Sequence, residues 1–255
     1  MLHRLKKLHG MTLGAIDGEI GKVKDVYFDD VSWGVRYLIV ETGGWLSGRK
    51  VLISPRSIRR VDWEKETIQV ALTQQQVKDS PDVDTDQPVS RQEEAEFYAY
   101  YGYPVYWGGG YLWGPYPILA DDAVAGTATA ELAIRDQYKI ENADHHLRSA
   151  SEVTGYQVHA REEHIGHVEE FLVDDAAWAL RYMVVDTTKW RVGRHVVVRP
   201  QWITKVEWAE SVVELGIDRA AVEASPEYDP AIVMSRDYEI RLHEHYQRST
   251  YWDGE

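Results

Sequence analysis

The chain reads as mainly β: two small β-barrels in tandem with short helical tails, related by an approximate internal two-fold. Three observations predict this. Ile20 to Trp63 recurs as Ile165 to Trp208 at a constant offset of 145, without a gap. Each copy breaks into short alternating segments separated by turn residues. Each copy also ends in a segment with helix-start signals. Self-similarity of this length fixes the architecture before any local reading does.

What the copies share is specific. Gly21 falls on Gly166, Asp29-Asp30 on Asp174-Asp175, and Trp33 on Trp178. Arg36-Tyr37 falls on Arg181-Tyr182, Gly48-Arg49 on Gly193-Arg194, and Tyr106-Trp107 on Tyr251-Trp252. These matches divide the 255 residues into a first unit at 1–107, a Gly/aromatic then polar linker at 108–145, and a second unit at 146–255.

In chain order, Met11 to Ile16 is the first strand, and Glu19 to Phe28 alternates as a half-buried strand with a bulge at Gly21. Asp29 to Gly34 is a turn by its Asp, Ser and Gly content. Val35 to Glu41 is apolar on both faces, as is Leu180 to Asp186, so each needs a second covering layer. Arg49 to Ser54 is a strand ended by Pro55. Arg59 to Trp63 and Thr67 to Leu72 form a hairpin, which makes six strands per copy and suits a small barrel. Thr73 to Asp79 is a short helix. Ser90 with Glu93 is a capping box that opens a helix over Arg91 to Tyr101, matched by Ser235 to Tyr246. Asp121 to Ala130 reads as unstructured and Glu131 to Ala143 as a helix.

The elements I-G-x-V, F-D-D, R-Y-L-I-V and G-R-K-V-L-I-S-P, with I-G-H-V, V-D-D, R-Y-M-V-V and G-R-H-V-V-V-R-P in the second copy, resemble the PRC-barrel family. The resemblance covers about residues 10–80 and 155–225. The family includes the cytoplasmic domain of the photosynthetic reaction centre H subunit and a ribosome maturation factor whose barrel contacts a ribosomal protein. It implies a small β-barrel used as a docking module.

Composition narrows the function. With no Cys, thiol catalysis and disulfides are excluded. No apolar run of about 18 residues is present, so no transmembrane segment is expected. MLHRLKKLHG is basic without an apolar core, so no secretory signal is expected and the cytoplasm, or the periphery of the inner membrane, is the expected location. A net charge of -14 argues against nucleic acid.

No catalytic, cofactor or metal site is expected. His164 and His167 lie three apart on a strand, and Glu19 and Lys22 replace them in the first copy. His243 and His245 are two apart on a helix and do not converge, and His145-His146 lies at the linker. Asp29, Asp30, Asp174 and Asp175 read as turn formers, with Arg36 and Arg181 as their ion-pair partners. Trp45, Trp190, Trp107, Trp113 and Trp252 fall in loops or tails and are the expected interface, between the barrels, in a homodimer or with another protein. The expected function is that of a non-enzymatic protein-interaction scaffold. The alternatives are a peripheral membrane or photosynthetic electron-transport accessory protein and an adaptor in ribosome maturation.

Overall fold

A computed structural model of the protein describes residues 1–81, 89–107, 110–114, 119, 146–161, 163–187 and 194–252. The segments Asp121 to Ala130 and Glu131 to Ala143 lie outside the described residues. The fold is two seven-stranded sheets with a few short helices. In the first copy the strands are β2 (Thr12–Gly14), β3 (Glu19–Asp29), β4 (Val35–Thr42), β5 (Lys50–Ile53), β6 (Ile58–Asp62) and β7 (Thr67–Val70). Their order is β5-β4-β3-β2-β7-β6, with β2 and β7 parallel and the other pairs antiparallel. The end strands β5 and β6 are joined by a 3₁₀ turn at Pro55–Ser57.

The second copy repeats this with β9 (Gln157–Ala160), β10 (Glu163–Asp174), β11 (Ala179–Asp186), β12 (His195–Val198), β13 (Ile203–Glu207) and β14 (Val212–Leu215). The bulge expected at Gly21 is present, and Gly166 sits at its equivalent. A Cβ on Gly21 would meet the Glu41 carbonyl oxygen at 2.0 Å, so the neighbouring backbone admits only glycine.

The seventh strand of each sheet was not legible in the repeat. β1 (Leu2–Arg4) pairs with β10, and β8 (Leu147–Ser149) pairs with β3. The expected first strand, Met11 to Ile16, is therefore the second, and it is shorter. The two added pairings are equivalent: Leu2 faces Asp174 and Leu147 faces Asp29, and the repeat offset of 145 relates Leu2 to Leu147 and Asp29 to Asp174. The compact units follow this trade. One holds Lys7–Ser149 with Ala176–Trp178, and the other holds Met1–Lys6, Ala150–Asp175 and Ala179–Glu255.

The helical tails are α1 (Gln74–Lys78) and α2 (Arg91–Tyr101) in the first copy. In the second copy they are α4 (Arg219–Ala224) and α5 (Arg236–Tyr246), after a single turn α3 (Ala150–Val153). Arg49 donates to the Lys78 carbonyl and Arg194 to the Glu223 carbonyl, so the duplicated Arg holds the end of the first tail helix in each unit. β4 and β11 are buried on both faces, as their composition requires. In the first unit the second layer is α2, whose Phe97 and Tyr98 rings lie 5.1 and 6.4 Å from the Tyr37 ring.

Candidate functional site

The capping box forms as expected. Ser90 N–H donates to Glu93 at 2.7 Å, and the Ser90 side chain accepts from the Glu93 N–H. With the helix start fixed, Glu94, Phe97, Tyr98 and Tyr101 lie along one face. Glu94 is thereby driven under the helix and is 0% exposed. A buried carboxylate costs several kcal/mol unless donors surround it. Here the Tyr37 and Tyr106 hydroxyls donate to Oε1 at 3.0 and 2.7 Å. Arg91 donates to Oε2 at 3.1 Å, and His146 Nε2 lies 2.7 Å from the same oxygen. The Arg36 guanidinium stacks 3.7 Å over the Tyr106 ring.

The second unit repeats the arrangement. Tyr182 and Tyr251 donate to Glu239 Oε1 at 3.0 and 3.1 Å, and Arg236 lies 3.2 Å from Oε2. Arg181 lies 4.2 Å over the Tyr251 ring. Only the histidine differs in origin. His146 precedes β8 in the first unit, whereas His243 comes from α5 in the second, with Nε2 3.1 Å from the Tyr182 hydroxyl.

Burial first, and then the Glu94 charge, pushes the Tyr37 and Tyr106 phenols well above their ordinary range. Burial and Glu239 do the same to Tyr182. The phenols therefore stay protonated and serve as donors, fixing the helix to the sheet through a charge. Glu94→Ala removes the acceptor of the buried Tyr37 and Tyr106 hydroxyls and the carboxylate partner of Arg91 and His146. We expect it to destabilise the first unit by about 3–5 kcal/mol, the range for breaking a buried charge cluster by removing one partner. Urea unfolding followed by circular dichroism measures this, and a loss below 1 kcal/mol, the scale of an exposed pair, would contradict the assignment.

The aspartates occupy the hairpin turns. Asp29 Oδ1 accepts from the Ser32 N–H and hydroxyl, both at 2.7 Å, and Arg36 donates to the Ser32 hydroxyl at 2.7 Å. Burial raises the Asp29 carboxyl, but Arg36 and Ser32 outweigh it and hold it below the usual range. Ala177 stands where Ser32 would be in the second copy, and there Arg181 meets Asp174 directly at 3.4 Å. Asp30 pairs with Arg148 at 2.9 Å, although burial still raises its carboxyl. Asp175 lies 3.1 Å from His3.

Of the described tryptophans, Trp113 belongs to the core, and Trp45, Trp107 and Trp252 are half-buried. Trp113 is fully buried, donates to the Ala177 carbonyl at 2.8 Å, and has Arg36 and Arg56 against its ring. Trp45 is half-buried, pinned to the Ile20 carbonyl at 2.7 Å. Trp107 and Trp252 are half-buried beneath Arg91 and Arg236, at 4.5 and 3.8 Å. Trp190 and His145 lie outside the described residues. Aromatic rings in Gly-rich segments look exposed in sequence because their covering cations come from distant elements. The exposed large apolar residues include Val31, Ile16 and the adjacent pair Ile232 and Val233, the last two at 64% and 58%.

Sequence reasoning missed Glu94 and Glu239, and weighed His146 and His243 only as metal ligands. A signal for the first two existed: an identical Glu in both copies, one turn before an apolar residue on the same helix face.

Among the described residues no group of three or more His, Asp or Glu side chains is placed to hold a metal ion. Among them, too, no helix is long and apolar enough to cross a membrane. The family model of the PRC-barrel domain matches residues 2–77. No curated protein matches the chain. The second copy, beyond that match, repeats the strand order of the first element by element. Over residues 2–77 the chain is therefore similar to the PRC-barrel domain family.

Proposed function

We propose that the chain is a non-enzymatic protein-interaction scaffold built of two PRC barrels. One observation carries this reading. Glu94 and Glu239, the carboxylates that both copies retain on the tail helix, are buried, and each accepts hydrogen bonds from two tyrosine hydroxyls. The phenols keep their protons and are poor bases and nucleophiles. A net charge of -14 favours a protein partner over RNA or an anionic membrane.

The apolar loop tip Ile232-Val233 is the feature to test. Ile232→Asp/Val233→Asp changes surface alone, so melting and circular dichroism should stay as in the intact chain. Recovery of bound proteins in an affinity pull-down should fall roughly tenfold, as for a loss of about 1.4 kcal/mol. Equal recovery by both chains would remove this loop from the binding surface.

A further inference from the structure

The edge of β10 that receives β1 is a strand-docking site with its own charge code. β1 contributes three residues, with His3 opposite Val173 and Arg4 opposite Leu172. Three backbone pairings make a weak ladder, since even a full two-stranded pair is marginal in water. Side-chain charge supplies the rest. Arg4 Nε lies 2.5 Å from Glu170 Oε1, and Lys6 lies 3.2 Å from the same carboxylate and 3.6 Å from Glu169. His3 lies 3.1 Å from Asp175, and Arg4 also donates to the Pro230 carbonyl at 3.0 Å. Glu170 is only 3% exposed, so these cations are what make its burial tolerable.

The equivalent edge of β3 reads a different strand. Asp25 stands at the position of Glu170 and accepts from the Ser149 hydroxyl of β8 at 2.5 Å, while Arg148 pairs with Asp30. Exchanging the strands between edges would set Ser149 against the buried Glu170. It would also bring Lys6 towards Lys24, which stands at the position of Glu169. Each edge therefore selects its own strand, and β10 selects an extended segment with basic residues at its second, third and fifth positions after Leu2's predecessor, as in Met-Leu-His-Arg-Leu-Lys.

We propose that the occupant of this edge is interchangeable between copies: the Met1–Lys6 segment of a second copy docks on β10 in place of the chain's own. Every contact above lies between that segment and the unit it docks on, so each is the same whichever copy supplies the strand. The segment already leaves the compact unit that follows it in sequence, between Lys6 and Lys7. Trading an identical element between protomers is a low-cost route to a dimer, because only the tethering of the strand changes. Two copies trading β1 form a closed pair in which each completes the other's seven-stranded sheet. This inference is independent of the loop-docking reading above, since it uses neither Ile232 nor Val233.

The absence of Cys makes the test direct. Positions 3 and 173 are opposed on the ladder, so cysteines there come within disulfide reach. A His3→Cys chain and a Val173→Cys chain, full length, are unfolded together, refolded at high concentration and oxidised. The expected result is a disulfide-linked species of dimer mass joining the two different chains. Arg4→Glu in the His3→Cys chain should abolish it, and so should Glu170→Arg in the Val173→Cys chain; the first is the surface change if the second fails to fold. The proposal is overturned if the mixture stays at monomer mass while a His3→Cys/Val173→Cys chain closes its disulfide internally. It is also overturned if the dimer-mass species survives Arg4→Glu.

Discussion

Both units are expected to unfold about one unit above pH 10, the ordinary value of a tyrosine phenol. Seven tyrosines are buried: Tyr37, Tyr98 and Tyr106 in one unit, and Tyr182, Tyr228, Tyr238 and Tyr246 in the other. Burial raises all seven phenols. Tyr98, Tyr228 and Tyr246 are pushed up to about 12, and Tyr37, Tyr106, Tyr182 and Tyr238 are raised as well. In Tyr37, Tyr106 and Tyr182 the neighbouring glutamate adds to the effect of burial.

The sign follows from proton binding. Below pH 10 both folded and unfolded chains hold these protons, and the contribution to stability is intact. Above it the unfolded chain releases them while the folded chain keeps them, so stability falls as pH rises through the folded values. Each buried phenol then costs about 1.4 kcal/mol per pH unit. With three in one unit and four in the other, the loss is roughly 4–6 kcal/mol per unit, comparable to the stability of a small domain. Exposed tyrosines such as Tyr111 ionise first, and the sheet signal and the tyrosinate absorbance of the seven buried phenols should then change together in one step. Tyrosinate absorbance reaching its full value for all 16 tyrosines while the sheet signal stays intact would show the buried phenols to be open to solvent.

Why was the barrel legible and the cluster not? The helix expected over Arg91 to Tyr101 has those ends because Ser90 and Glu93 satisfy each other and Gly102 adopts the left-handed conformation that stops it. Strand β3 was legible because alternation over eleven residues reports a half-buried strand. Glu94, in contrast, sits in a first helical turn, where acidic residues are favoured by the helix dipole whatever they face. Its burial depends on Tyr37, which lies 57 positions away in sequence, and on a helix packing that local pattern does not encode. His146 stood beside a stretch read as linker, and its role follows from Glu94.

β1 and β8 show the same limit in backbone terms. Three residues give no period, and Leu2 finds its partner at Asp174. The repeat does contain the hint, since Leu2 matches Leu147, yet a match between two strands cannot say that each serves the other copy's sheet. The ion pairs Arg4–Glu170 and Arg148–Asp30 carry that information, and they join residues that no local window contains together.

Removing Met1 to Arg4 should therefore be felt in the second copy of the repeat, not in the first. The deletion takes away the Arg4 guanidinium from Glu170, which is 3% exposed, and uncovers Leu172 to Asp174 at the C-terminal end of β10. It also removes Leu2, 8% exposed and so part of the core. Stripping a partner from a buried charge costs about 3–5 kcal/mol; Arg4 is itself partly exposed and Lys6 remains, which places this case near the lower end. Hydrogen exchange read by peptide should show lost protection over β10 and β11, far from the cut in sequence, with β3 and β4 unchanged. Deleting Leu147 to Ser149 should produce the mirror result, since β8 lies on β3. Loss of protection in β3 and β4 after the N-terminal deletion would mean that β1 supports its own copy, and the exchange would be wrong. On the exchanged arrangement, a fragment cut at the repeat boundary holds one strand without its sheet and one sheet without its strand. The repeat is the unit of sequence, while the unit of folding takes its seventh strand from the other copy.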